Sequence, residues 1–387
     1  MNNIEIIIGL LLLFMAVPDV CRRLGRPALV FPAFVLFGLA LGPVANPGLK
    51  TMLHEAGVVG FLLLLFEVGL EIDLPPLRQM VPPLRFALPW VMAQFPVALL
   101  LAGVAGFGWV ESLVAAAALT GVSVGMAYPA WKSYPGLDEP RREAVLRVLI
   151  VLEALTVVLL ALGEPAVRSG LSWFIPLRLA GVVLVLLLVA RFATHVTRLF
   201  HAILQRATHW RTHLLVLLVL AVCAAGDRLG LSAPKTAFFL GLFMSRTEHE
   251  GKGLAEYMAP VSQRFLIPIF FVSLGLRVEW GLALSWAGLM AWGAAGLLLG
   301  VREVVDRRWL SVGGDRRAYL LLCPNLTIVA LGASMLLESQ KATTAAGWLL
   351  LTGLFVTVLA VVLLPAAGKG NEAANAWVAG SSRGCRQ

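Results

Sequence analysis

Charged side chains are scarce in this sequence of 387 residues. Asp, Glu, Lys and Arg together make up 14% of the chain, while hydrophobic residues make up 59%. A soluble domain carries about a quarter charged residues, so this composition excludes an ordinary soluble protein. Apolar runs of roughly 17–25 residues recur along the whole length, which predicts a bundle of membrane-spanning α-helices and not a β-barrel.

Cysteine and the usual catalytic motifs are also lacking. The four cysteines, Cys21, Cys223, Cys323 and Cys385, are scattered and form neither a disulfide framework nor a metal-binding pattern. The sequence contains no His-Glu-x-x-His, no Gly-x-Ser-x-Gly, no nucleotide-binding loop and no pair of Asp residues within an apolar run. These absences argue against an enzyme, and we expect no cofactor and no resident metal ion.

The apolar runs predict an all-α membrane protein with thirteen spans. Their approximate bounds are 3–20, 27–44, 56–73, 86–108, 112–130, 144–163, 173–194, 212–227, 231–245, 264–280, 282–301, 317–337 and 344–364. Cytoplasmic connections carry an excess of Lys and Arg. Of the 31 such residues, 23 fall on alternate connections and the tail, and only 5 on the intervening connections. This alternation predicts an external N-terminus and a cytoplasmic C-terminus, and it explains the net charge of +9 without nucleic acid.

One carboxylate lies deep within the predicted sixth span. Glu153 stands near the middle of the apolar run from Val148 to Leu160. An unpaired charge at that depth costs on the order of several kcal/mol, so intramembrane acids are functional by default and often bind a proton or an ion. We interpret Glu153 as an ion carrier. The alternative is a permanently protonated side chain that is hydrogen-bonded to a neighbour.

Two pairs of spans indicate an inverted internal repeat. A Gly-Leu pair followed by charges occurs at Gly69 in span three and again at Gly275 in span ten, and a displacement by seven spans inverts the orientation. Spans five and twelve carry helix breakers at corresponding places, namely Gly121 and Gly125 in the first and Pro324 in the second. Such broken helices are typical of secondary transporters, whose half-helix ends bind ions. The alternative is that small residues only allow close helix packing.

Four segments of the chain carry a family resemblance. They are 62–71, 123–126, 230–241 and 268–276, and they follow one another over most of the chain. In them the sequence resembles the monovalent cation:proton antiporter superfamily, in the branch of bacterial sodium:proton antiporters and potassium-efflux systems. Many members have thirteen spans, and the resemblance implies the bacterial inner membrane as the location.

The resemblance also implies an architecture of two inverted six-helix repeats. Spans 4–6 and 11–13 would form a core in which the discontinuous helices 5 and 12 cross, and spans 1–3 and 8–10 would form a scaffold that makes a homodimer. The core would move like an elevator against the scaffold. The corresponding divisions are scaffold 1–85, core 86–163, linker helix and basic loop 164–211, scaffold 212–280, core 281–367 and a disordered cytoplasmic tail 368–387.

The same resemblance places the carrier and its neighbours. The family carries an Asp on the sixth helix, preceded by an acidic or amide residue, and these two positions correspond to Glu153 and Leu152 here. A basic residue of some members on helix eleven corresponds to Val301 or Arg302, which we expect at the cytoplasmic end of that helix. On helix twelve this chain has Pro324-Asn325-Leu326-Thr327, where the potassium-efflux branch has Pro-Arg-Gly-Glu.

Other polar residues of the spans are candidates for the ion path. Ser123, Asn325 and Thr327 supply oxygen atoms of the kind that hard cations prefer, and helix–helix hydrogen bonding is their competing use. Glu67 either lines the path or pairs with a base.

Three basic residues are candidate charge partners of the acids. Besides Arg302, they are Lys235, near the outer end of span nine, and Arg147, about one turn inside span six. For Lys235 and Arg147, snorkelling to the membrane interface is the competing explanation.

These expectations combine into one function. The chain is predicted to exchange Na+ or K+ for H+, because a proton and a cation that compete for Glu153 at a site of alternating access produce antiport. Leu152 cannot titrate, so we expect one carboxylate per cycle. Two alternatives stay open: a transporter of the same fold that moves another solute, and a membrane scaffold or sensor that does not transport.

Overall fold

The computed structural model describes nine ranges of the chain. They are residues 3–71, 77–134, 137–169, 210–228, 233–245, 248–249, 252–310, 317–338 and 342–365. The predicted span seven, at 173–194, and the predicted tail, 368–387, lie outside these ranges. Within them the chain is helical except for one short antiparallel pairing of β1 (Glu248–His249) with β2 (Lys252–Gly253) and the connecting turns.

Seven α-helices precede residue 170. They are α1 (Asn3–Arg23), α2 (Val30–Leu41), α3 (Pro47–Glu71), α4 (Leu77–Val104), α5 (Trp109–Thr120), α6 (Val124–Ser133) and α7 (Glu139–Ser169). A short 3-10 turn, Pro27–Leu29, leads into α2.

Eight α-helices are described after residue 210. They are α8 (Arg211–Arg228), α9 (Ala233–Met244), α10 (Leu254–Met258), α11 (Ile267–Arg277), α12 (Trp280–Ala283), α13 (Trp286–Val305), α14 (Leu326–Glu338) and α15 (Thr343–Leu363). π-Helical turns at Ser262–Leu266 and Asp306–Leu310 adjoin α11 and α13, and a 3-10 turn, Ala318–Leu322, precedes α14.

Six helical segments of the described part are long and apolar enough to cross a membrane. They are Pro47–Leu70, Pro82–Val104, Trp109–Tyr128, Trp286–Arg308, Ala318–Leu337 and Thr343–Leu363. The prediction of a helical membrane protein is therefore confirmed at this level. The number thirteen stays a prediction.

One group of helices is joined by close backbone contacts. α3 packs along α9 and α11, and α2 packs along α11. A methyl group on Gly241 would collide with the carbonyl oxygen of Phe66, and one on Gly275 would collide with that of Val35. Only glycine allows the helices to approach this closely, as is common between helices in membranes.

A second group contains the helices that surround Glu153. α4, α5 and α7 pack against one another, α13 packs on α4 and α15, and α14 packs on α5, α7 and α15. Its interior is apolar and includes the fully buried side chains of Trp90, Leu119 and Trp348. The two groups meet near the end of α15, where the Arg26 guanidinium donates a hydrogen bond to the carbonyl oxygen of Val361.

Candidate functional site

Two interrupted helices meet inside the second group. α5 ends at Thr120, the chain runs extended through Gly121 and Ser123, and α6 begins at Val124. The other interruption lies between the 3-10 turn that ends at Leu322 and α14. The backbone amide of Ser123 donates to the carbonyl oxygen of Pro324 at 2.8 Å, so the two interruptions are joined directly. We call residues 119–124 and 323–327 the crossing.

Close packing explains why the first interruption contains glycine. A methyl group on Gly121 would lie 2.6 Å from Cγ2 of Thr156 on α7 and 3.0 Å from Cγ2 of Ile328 on α14. A contact of 2.6 Å is well inside the van der Waals separation of carbon atoms. Gly121 therefore lets α7 and α14 approach the crossing from two sides.

Glu153 lies at the amide end of the crossing. Its side chain is 0% exposed, near the middle of α7, and Oε2 accepts a hydrogen bond from the backbone amide of Val124 at 3.1 Å. Val124 is the first residue of α6, and the N-terminus of a helix carries a partial positive charge and free amide groups. The sequence placed a carboxylate in the sixth span, and the structure brings it to a helix end that binds anions.

Arg302 lies at the carbonyl end of the crossing. Its guanidinium donates from Nη2 to the carbonyl oxygen of Leu119 at 2.6 Å, from Nη1 to that of Cys323 at 3.0 Å, and from Nε to Oε1 of Gln94 at 2.7 Å. Leu119 lies in the last turn of α5 and Cys323 at the second interruption, where carbonyl groups lack intrahelical amide partners. The positive charge is therefore placed against two buried carbonyl dipoles.

The sequence placed Arg302 at the end of its helix but did not predict its burial. Arg302 lies in the last turn of α13, which ends at Val305, and its side chain is 0% exposed. Because three acceptors converge on the guanidinium, the buried charge is compensated inside the protein.

Asn325 holds the crossing together. Its Nδ2 donates to the carbonyl oxygen of Leu119 at 3.1 Å, and its backbone amide donates to Oγ1 of Thr357 on α15 at 3.2 Å. Asn325 was predicted as an ion ligand with helix–helix hydrogen bonding as the competing use. Its observed contacts are of the competing kind.

The remaining predicted site residues also lie in or next to the two interruptions. Ser123 and Thr327 are buried, and the Thr327 hydroxyl has no hydrogen-bond partner among the described residues. Ser123 precedes α6 without a side-chain capping bond to that helix. Gly125 lies in the first turn of α6, and Pro324 lies in the second interruption.

Glu67 is held in the other group of helices. Its side chain is 6% exposed, Oε2 accepts from Nε2 of Gln263 at 3.0 Å, and Oε1 accepts from the hydroxyl of Ser262. Both donors belong to the π-helical turn before α11. The structure thus places Glu67 and Glu153 against different partners on different helices.

Two candidate charge partners lie elsewhere. Arg147 forms an ion pair with Glu143 at 2.5 Å, and both side chains are more than half exposed. Position 235 belongs to α9, but the side chain of Lys235 lies outside the described part of the structure.

Gln94 and Thr357 contact the crossing or its arginine but were not among the residues predicted from the sequence. Gln94 is fully buried on α4, and its Nε2 donates to the carbonyl oxygen of Trp90 at 2.8 Å. It is the only amide side chain in the predicted fourth span, and a polar residue within an apolar run was a usable signal. Thr357 gave no comparable signal, because threonine is common in membrane helices.

A cavity separates the two groups of helices at one end. It has a volume of about 490 Å³ and is bounded by α3, α9, α11 and α14. Its polar lining comes from His54, Ser273, Arg277 and Ser334.

Comparison with known proteins places this arrangement in a family. The model of the family described as "Sodium/hydrogen exchanger, transmembrane" matches residues 9–379. The chain belongs to this family. It is a family of transporters, so the exchanger described here is not an enzyme, and the resemblance noted in the sequence is confirmed.

Individual relatives are distant. The exchanger is 26% identical to a Na+/H+ antiporter of Enterococcus hirae over 287 residues, which cover 67% of this chain and 69% of the relative. It is 25% identical over 396 residues to YjbQ, a putative Na+/H+ antiporter of Bacillus subtilis (strain 168). That match covers 94% of this chain but only 62% of the relative.

A solved structure shares the fold. The sodium proton antiporter MjNhaP1 from Methanocaldococcus jannaschii, determined at pH 8, superposes with a TM-score of 0.63 at 15% sequence identity. The superposition covers 94% of this chain and 96% of the other. At this identity the likeness shows the fold of a divergent member.

Proposed function

We propose that this protein exchanges a monovalent cation, Na+ or K+, for H+ across the membrane, with Glu153 as the carrier. The observation that carries the proposal is the position of Glu153. A fully buried carboxylate accepts a hydrogen bond from the first amide of a half-helix, inside a family of sodium/hydrogen exchangers. The named relatives, both Na+/H+ antiporters or putative ones, favour Na+ as the first ion to test.

Competition for one carboxylate explains antiport. Burial disfavours the ionised form of Glu153, whereas the amide end of α6 and a bound cation favour it. The carboxylate therefore holds either a proton or a cation, and each displaces the other. The buried hydroxyl groups of Ser123 and Thr327, both in the crossing, are candidates to complete an oxygen shell. With Leu152 beside Glu153, one proton is exchanged for one monovalent cation, and the exchange is electroneutral.

Movement of the second helix group against the first would provide alternating access. The proposal is supported by the cavity between α3, α9 and α11 of the first group and α14 of the second. We assign 86–163 and 281–367 to a moving core and 1–85 and 212–280 to a scaffold, with 164–211 as the linker and 368–387 as a cytoplasmic tail. The scaffold would form a homodimer in a bacterial inner membrane, with the N-terminus outside.

Repeated glycine contacts support an inverted repeat within thirteen spans. Gly69 on α3 faces Gly241 on α9, and Gly275 on α11 faces Gly38 on α2. In the predicted numbering, these are contacts of span three with span nine and of span ten with span two. A displacement by seven spans converts one contact into the other, as it converts the broken span five into span twelve.

Proteoliposomes with an imposed pH gradient test the function. Addition of Na+ or K+ is expected to dissipate the gradient with the native protein, and Glu153→Gln is expected to abolish the ion-dependent part, because an amide cannot exchange a proton. Glu143→Gln serves as a matched control, since Glu143 lies on the same helix but is exposed and paired with Arg147. Dissipation that survives Glu153→Gln would remove Glu153 as the carrier.

The same assay separates the two other functions. A gradient that responds to neither ion but to another solute would indicate a different transporter of the same fold. Absence of any solute-dependent flux would indicate a scaffold or sensor. In either case the cation exchange proposed here would be wrong.

A further inference from the structure

The orientation of Arg302 depends on one side chain. Two of its three acceptors are backbone carbonyl oxygens, and the third is Oε1 of Gln94 on α4. Backbone acceptors alone leave the guanidinium free to tilt about the two Nη atoms. The bond from Nε to Gln94, at 2.7 Å, removes that freedom, because it fixes a third point of the planar group.

Gln94 is itself fixed. Its Nε2 donates to the carbonyl oxygen of Trp90, one turn earlier on α4, at 2.8 Å. That bond sets the plane of the amide and directs Oε1 away from the α4 backbone and towards Arg302. The side chains of Gln94 and Arg302 are both 0% exposed, so bulk solvent does not compete for these hydrogen bonds.

The crossing thereby separates two opposite charges. Arg302 is bonded to carbonyl groups at Leu119 and Cys323, and Glu153 is bonded to the amide of Val124. A free guanidinium in this low-dielectric interior would be attracted by the carboxylate, since the interaction of charges grows as the dielectric constant falls. The guanidinium near Glu153 would then repel a cation that binds there and weaken its binding.

We propose that Gln94 is a positioning residue for ion exchange: it holds the positive charge of Arg302 at the carbonyl end of the crossing and so leaves Glu153 available to a proton or a cation. This inference deepens the proposed function and rests on it. Asp306, one turn beyond Arg302, and Cys323 are titratable groups beside this arginine, and Tyr319 interacts with both of them. All three are buried and unchanged in the tests below.

Three variants of the full-length protein in proteoliposomes test the inference. Gln94→Leu removes the acceptor of Arg302 Nε with little change of volume. Gln94→Glu restores an acceptor at the same place. Thr352→Val is the matched control, because Thr352 is fully buried on α15 and its hydroxyl donates to the carbonyl oxygen of Trp348 on its own helix and not to a partner of Arg302. For each, the initial exchange rate is measured against Na+ concentration and against pH.

Gln94→Leu is expected to raise the apparent KM for Na+ about tenfold, which corresponds to the loss of one hydrogen bond to a charged group. Its activity profile should shift to lower pH, because a nearby positive charge favours the ionised carboxylate. Gln94→Glu should return both KM and the pH profile towards those of the native protein, and Thr352→Val should leave both in place.

A merely structural contribution would give a different result. Gln94→Leu would then lower the maximal rate and the thermal stability as Thr352→Val does, with the native KM and pH profile, and the inference would be wrong. An unchanged KM together with a rescued rate in Gln94→Glu would also overturn it. The failure of the proposed function is recognised separately, because in that case Glu153→Gln itself would retain exchange.

Discussion

The Arg302 guanidinium donates to the Leu119 carbonyl oxygen at 2.6 Å and so joins α13 to the last turn of α5. The same group reaches Cys323 at the second interruption. One side chain thus satisfies carbonyl groups from both broken helices, in place of the intrahelical amides that the interruptions remove. The broken helices owe part of their stability to a residue that is distant in sequence.

Arg302→Lys is expected to destabilise the crossing. A lysine ammonium is a compact charge and lacks the planar fork that serves Gln94, Leu119 and Cys323 together. The loss of one or two charged hydrogen bonds should lower the free energy of unfolding by about 2 kcal/mol. Thermal unfolding of the purified variant measures this effect.

Arg147→Lys is the matched control for that experiment. Arg147 also lies on a long helix of the second group, but its pair with Glu143 is exposed. Exposed pairs contribute little to stability, so the unfolding temperature should hardly change. Equal effects of the two substitutions would contradict the bridging role of Arg302.

Gly121→Ala is expected to strain the first interruption. The added methyl group would press on Cγ2 of Thr156 at 2.6 Å, and overpacking of this kind costs about 1–3 kcal/mol. Thr156→Ser removes that methyl group, so the double variant should recover much of the lost stability. A double-mutant cycle of thermal unfolding measures the coupling.

Gly103→Ala provides the comparison. Gly103 lies near the end of α4, and a methyl group there would meet nothing within 4 Å. This substitution should leave the stability unchanged or raise it slightly. Equal effects of Gly121→Ala and Gly103→Ala on the unfolding temperature would show that close packing does not require glycine at position 121.

The two helix interruptions could be predicted from the sequence, because glycine and proline in apolar runs are local signals. A lone carboxylate in an apolar run likewise singles out Glu153, whose function as a carrier stays a prediction. The backbone partner of Glu153 was not predictable in the same way. The Val124 amide is a group that every residue but proline has, and only the fold selects it.

Contacts between residues that are distant in sequence explain the features of the site that could not be predicted. Arg302 was expected at a helix end and lies in the last turn of α13, but its burial follows from three acceptors that come from α4 and the crossing. Asn325 has an oxygen atom of the kind that ligates ions, but its amide nitrogen donates to the carbonyl oxygen of Leu119, because the interruption leaves that carbonyl group without a helical partner. Neither contact has a signature within a single span.

Glu67→Gln is expected to retain exchange. Glu67 is bonded to Ser262 and Gln263 in the proposed scaffold, and an amide can keep one oxygen acceptor for the Ser262 hydroxyl. The maximal rate should stay within about twofold of the native rate, which corresponds to a fraction of a kcal/mol. Proteoliposome exchange at saturating Na+ measures it. A loss as complete as that of Glu153→Gln would instead place Glu67 on the ion path.

Glu153→Asp is expected to retain exchange with a weakened site. The shorter side chain still carries a titratable carboxylate, but its oxygen no longer reaches the Val124 amide at the 3.1 Å of the native bond. Loss of one charged hydrogen bond corresponds to about a tenfold higher apparent KM for the cation. Initial rates against Na+ concentration measure the change, with Glu153→Gln as the inactive reference. A native KM in the Asp variant would show that the amide end of α6 does not contribute to ion binding.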